Sequence, residues 1–158
     1  MRYDLYKIFF SLLILLLLDI LKPLTYSLHG EFLIVGIIFV FIYYPARISL
    51  PLGIFFSYCK DAISINVIPI NVIEIVFIFF LIKFLLYRLP KSAVRIFLPV
   101  IALAAYVLIN CFHFGVLSFM FNFRFLVNSY ILFLISDYLL RKNLKVENPY
   151  ISDYRIIK

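Results

Sequence analysis

Ser57 and Lys60 form an S-x-x-K pair, and Ser64 with Asn66 an S-x-N pair, a combination with which penicillin-interacting serine enzymes activate a hydroxyl nucleophile. The third element of that machinery, K-T-G, is absent from the chain. Patterns this short recur by chance, so no nucleophile is assigned. His29 and His113 each lack a second ligand three or four residues away, which makes them hydrogen-bonded rings at a membrane interface rather than metal ligands. Cys59 and Cys111 form no C-x-x-C and read as small apolar fillers. No Gly-rich phosphate loop, G-x-S-x-G elbow or H-E-x-x-H motif occurs. The expectation is a non-enzymatic protein with no cofactor and no metal.

The acids carry more information. Glu74 lies about one helical turn inside an apolar run, where an ionised side chain costs on the order of 2.5 to 3.5 kcal/mol unless paired or protonated. Lys83 cannot pair with it along the helix, being about 180° around the axis and roughly 13.5 Å away. Two readings follow: an inward-facing interaction or ligand site, or a residue near the membrane surface kept wet by Pro69 and Asn71. Asp19, close to Lys22, reads as an interface anchor, and Asp61 beside Lys60 as a charged loop pair.

These residues interrupt a chain that is 66% hydrophobic and 15% charged, with a mean hydropathy of +1.11. A soluble domain is about half apolar and about a quarter charged. A core this small could not hide so much Ile, Leu and Phe from water. The composition indicates one polytopic, all-α membrane domain over residues 1–140, with a short basic cytoplasmic tail at 141–158. The net charge of +7 would suggest nucleic acid in a soluble protein, but here the basic residues mark cytoplasmic loops.

Crossing roughly 30 Å of hydrocarbon takes about 20 helical residues. Six apolar segments emerge: Leu5–Leu21, Phe32–Tyr44, Ile48–Cys59, Val67–Tyr87, Ile96–Phe112 and Phe125–Leu140. The first follows Arg2 and Lys7 like a secretory signal. It lacks a small-x-small cleavage site and ends in Asp19, Lys22 and Pro23, so it is expected to remain as a helix. The second and third segments are short, with Pro51 near the start of the third, and are expected as a bent or shallow hairpin packed inside protein. No internal repeat is evident. With both termini in the cytoplasm, all Lys and Arg except Lys22, Lys60 and Arg124 fall on the inner side, in agreement with the positive-inside rule. Tyr residues near the segment ends match aromatic belts.

The stretch from Phe32 to Ile75 resembles the rod shape-determining protein family MreD. In that family a helix ends in a Pro-x-Arg turn, a Gly follows on the next helix, and an Asp comes eight residues later with a small polar residue three beyond it. Pro45, Arg47, Gly53, Asp61 and Ser64 stand at that spacing. Ile65 and Pro69 occupy positions where the family usually has glycines, and no Pro precedes the second helix closely. The resemblance implies a scaffold subunit of the cell-wall elongation machinery in the bacterial inner membrane. It would bind MreC and link the MreB cytoskeleton to RodA and the elongation transpeptidase, with no nucleic acid among its partners. Arg47 would present a cation at the cytoplasmic turn, Gly53 would permit close helix approach, and Asp61 would cap or anchor the external turn. The alternative is a vitamin-binding subunit of an ECF-type transporter, also a six-helix protein, with Asp61, Asn66, Asn71, Glu74 and Arg124 forming an external pocket.

Overall fold

The computed structural model describes residues 5–21, 31–63, 69–114 and 119–144, the side chains of 91–92, 111–114 and 119–122 excepted. Among these residues the chain is all-helical: α1 (Leu5–Leu21), α2 (Phe32–Tyr43), α3 (Ala46–Ile63), α4 (Ile70–Arg88), α5 (Lys91–Phe114) and α6 (Phe119–Leu144). Three stretches are long and apolar enough to cross a membrane, Ile70–Arg88, Ala93–Asn110 and Phe123–Leu144. Ser64 and Asn66, both histidines and the tail from Lys145 lie outside the described residues or side chains.

The bundle is organised around α2. Its sequence FLIVGIIFVFIY has no polar face, and a helix apolar all round must be enclosed. Helices α1, α3, α4, α5 and α6 each pack on it and close a ring, each touching the next around the circle. Every residue of α2 from Leu33 to Tyr43 is buried. The ring helices instead leave large apolar side chains outside, among them Phe10, Ile14, Phe55, Phe77, Phe80, Phe84, Phe97 and Ile135. An apolar exterior of this extent is compatible with lipid as its surroundings and unfavourable in water.

Close packing of α3 against the centre comes from small residues. Ser49, Gly53 and Ser57 lie one turn apart on its buried face. A Cβ at Gly53 would lie 2.6 Å and 2.8 Å from ring atoms of Phe41 and 3.3 Å from Ile75. Gly53 therefore lets α3 approach α2 and α4 to a distance that a side chain would forbid.

The second segment is enclosed in protein as α2, and the third packs against it as α3. α2 has 12 residues, and α3 runs for 18 residues with Pro51 inside it. Pro51 sits on the exposed side early in α3, where one lost backbone hydrogen bond is tolerable. The helix continues past Cys59 because Lys60 and Asp61 find partners on other helices. α5 and α6 also outrun the apolar segments that mark them, since their ends take in flanking basic and polar residues. α4 starts later than expected because Pro69 occupies its N-cap.

Candidate functional site

A helix begins with N–H groups that have no partner inside it. The residues preceding α2 and α4, Glu31 and Pro69, make no side-chain cap. Both helix starts are capped from elsewhere. Asp19, near the end of α1, accepts hydrogen bonds from the backbone N–H of Phe32 at 2.8 Å and of Leu33 at 2.9 Å. Asp61, near the end of α3, accepts from the backbone N–H of Asn71 and of Val72, each at 3.2 Å. The Asn71 side-chain amide donates to it as well, at 2.7 Å. In both cases a carboxylate sits at the positive end of a helix dipole. The chain thus uses one device twice, α1 holding α2 and α3 holding α4, although the two hairpins share no evident sequence repeat.

Lys60 turns away from its neighbour Asp61. Its ammonium forms an ion pair with Glu31, which precedes α2. It also lies 3.5 Å from the Tyr106 hydroxyl and 5.9 Å from the centre of that ring, and the Tyr106 ring in turn stacks on Phe125. Lys60 therefore ties α3 to the start of α2 and to α5.

Glu74 lies one turn beyond Asn71 on α4 and is 1% exposed. Asn110 of α5 hydrogen-bonds to its side chain, with Lys60, Asp61 and Glu31 close enough to act on its charge. One carboxylate oxygen, Oε1, is completely buried with no hydrogen-bond partner. The Asn110 amide also donates to the Tyr106 carbonyl at 3.0 Å. Asp19, Glu31 and Glu74 therefore share the ammonium of Lys60 as a charge partner, and Asp61 lies close enough to act on Glu74. The Glu74 side chain thus faces the interior of the bundle.

At the opposite end of α2, Lys83 of α4 donates to the Phe41 carbonyl at 2.7 Å and the Tyr44 carbonyl at 3.0 Å. These carbonyls belong to the helix terminus that lacks internal donors, and a cation there complements the dipole. Nearby, Asp137 pairs with Arg141 at 2.8 Å on α6 and accepts a hydrogen bond from Tyr43, on whose hydroxyl Arg95 also acts.

The residues singled out from sequence divide between the two ends. Pro45 is buried in the turn between α2 and α3, its carbonyl accepting from the N–H of Ile48 and Ser49, and Arg47 is exposed beside it. Gly53 lies midway, and Asp61 and Glu74 meet at the Lys60 end. Of the possible pocket residues, Asp61 and Asn71 are bonded to each other, Arg124 is exposed, and Asn66 is outside the described residues. Ser57 is buried, its hydroxyl without a partner, while the ammonium of Lys60 is engaged by Glu31 and Tyr106. The roles of Asp19, Glu31, Tyr106, Asn110 and Asp137 were not anticipated. The signal for the first was present: Glu31 and Pro69 are poor caps, so acceptors had to come from another part of the chain. Among the described residues no group of three or more His, Cys, Asp or Glu is placed to hold a metal ion. Comparison with protein families, curated proteins and solved structures returned no match.

Proposed function

We propose that the chain is a non-enzymatic, multi-pass subunit of the bacterial inner membrane with the role of MreD, maintaining cell shape by binding MreC and coupling the MreB cytoskeleton to the peptidoglycan synthases. The observation that carries this reading is the register Pro45, Arg47, Gly53 and Asp61, each of whose positions has a distinct physical use. Pro45 makes a buried turn, Arg47 stands exposed beside it, Gly53 seats α3 against Phe41, and Asp61 holds the start of α4. Such a protein works by presenting helix faces and exposed charge to partners, and its apolar exterior supports that use.

Six membrane passes with both termini cytoplasmic belong to the same proposal. Lys83, Arg95 and Arg141 gather near Tyr43 and Tyr44, at the end of the bundle that also carries Arg47. A concentration of cations at one end supports assigning that end to the cytoplasm. The vitamin-binding alternative has less support, because Asp61 and Asn71 are already engaged with each other and with the backbone of α4.

Depletion of the protein in its host tests the proposal. Rounding of the cells, restored by the wild-type chain but poorly by Arg47→Glu, is the expected outcome. Co-purification with MreC in mild detergent should weaken in the same variant. Unchanged shape after depletion in a laterally elongating organism would overturn the scaffold role.

A further inference from the structure

The carboxylates at the Lys60 end are not equivalent. Asp19 and Asp61 spend their charge on the starts of α2 and α4, and Glu31 spends its charge on Lys60. Glu74 alone among the four keeps a fully buried oxygen with no partner. Desolvating an acceptor without replacing its hydrogen bond is costly, about 1–3 kcal/mol and more for a charged group. A donor supplied from outside the chain would remove that cost.

The surroundings of Oε1 restrict what the donor is. Asp61 and Glu31 add negative charge around Glu74 against the one ammonium of Lys60, which leaves the surroundings favourable to a further positive charge, the Tyr106 ring offers a π-face already used by one cation, and the described residues offer no metal-binding set. A hard metal ion would require about six or more oxygen ligands. An organic ammonium needs only a few acceptors and gains from an aromatic wall. Lys60 and Asn110 are half-buried, so the cluster reaches the surface through them.

We propose that the cluster around Glu74, Tyr106 and Asn110 is a binding site for a small organic cation bearing N–H donors, a primary ammonium group, with Glu74 accepting its hydrogen bond. The site rests on this buried cluster alone and is independent of the scaffold role.

The test uses the purified full-length protein in detergent micelles, with methylammonium chloride as probe and potassium and tetramethylammonium chlorides as controls. The chain has no Trp, so thermal unfolding is followed by far-UV circular dichroism. Methylammonium should raise Tm saturably, as a ligand of the native state does. Tetramethylammonium, which has no N–H, and potassium should raise it far less. Glu74→Gln should weaken methylammonium binding about tenfold or more, since it removes a charged acceptor. Tyr106→Leu removes the aromatic wall and provides a second variant if Glu74→Gln does not fold; it should weaken binding severalfold. An absent methylammonium effect, an equal effect of potassium or tetramethylammonium, or an unchanged response in a folded Glu74 variant would overturn the proposal. Cell shape on depletion reports separately on the scaffold role.

Discussion

Replacing Asp61 with Ala removes the acceptor for three donors at once, the backbone N–H groups of Asn71 and Val72 and the Asn71 amide. Losing a helix cap costs about 0.5–2 kcal/mol. Leaving a buried side-chain amide without its acceptor costs about 1–3 kcal/mol. Because Asp61 is buried, water does not readily replace the lost oxygen atoms, and the sum for Asp61→Ala is about 1.5–5 kcal/mol. Asp61→Asn separates charge from acceptor geometry. It keeps one carbonyl oxygen for one donor and loses the charge–dipole attraction, for a cost of about 1–2 kcal/mol. Equilibrium unfolding of the purified protein in mixed micelles, titrated with SDS and followed by far-UV circular dichroism, measures both. The expected order is wild type, then Asn, then Ala. A loss below about 0.5 kcal/mol for Asp61→Ala, within the range of an ordinary surface change, would show that the α4 cap is not what Asp61 supplies. Equal losses for Asn and Ala would show that acceptor geometry contributes nothing.

Other expectations follow from the same contacts. Gly53→Ala places a methyl group against the Phe41 ring, which itself meets Phe79 edge-on, and should cost about 1–3 kcal/mol in the same unfolding assay. Gly36→Ala meets only the flexible ends of Leu15 and Leu12, so it should cost under about 1 kcal/mol, offset by the better helix propensity of Ala. Lys83→Met leaves the carbonyls of Phe41 and Tyr44 without their donor and should destabilise by about 1–3 kcal/mol. Lys60→Met should be more damaging than Lys60→Met combined with Glu31→Gln, because the single change strands a carboxylate; a double-mutant cycle reads the coupling. If the Lys60 end faces outward, an impermeant thiol reagent should label the free, half-buried thiol of Cys59 in intact cells. Protection until permeabilisation would invert the proposed topology.

Much of the helical architecture was legible because it rests on local composition. A run such as Phe32–Tyr43 contains only apolar side chains and Gly before its terminal Tyr, and any helix it forms must be enclosed on all sides. Its length also foretold a problem. Twelve residues rise only about 18 Å, well short of a hydrocarbon core of about 30 Å, so the polar ends of α2 need protein partners. The structure buries α2 whole, the packing inside protein expected for so short a segment, with Asp19 at its positive end and Lys83 at its negative end.

Those partners could not be read from spacing. Asp19 meets α2 from 13 residues away, Lys60 meets Glu31 across 29 and Tyr106 across 46, and Lys83 meets Phe41 across 42. A charged residue in an apolar run announces that it needs a partner, since the penalty for having none is a property of the residue and its surroundings. Which partner it takes depends on the helix that packing brings beside it. Composition and hydropathy therefore reveal a membrane-type helical bundle and its polar interruptions. Closure of the ring around α2 sorts the described interruptions into caps, ion pairs and buried carboxylate oxygens left unsatisfied at Glu74 and Asp137, because hydrogen bonds are short and directional and form only where folding has placed donor and acceptor together.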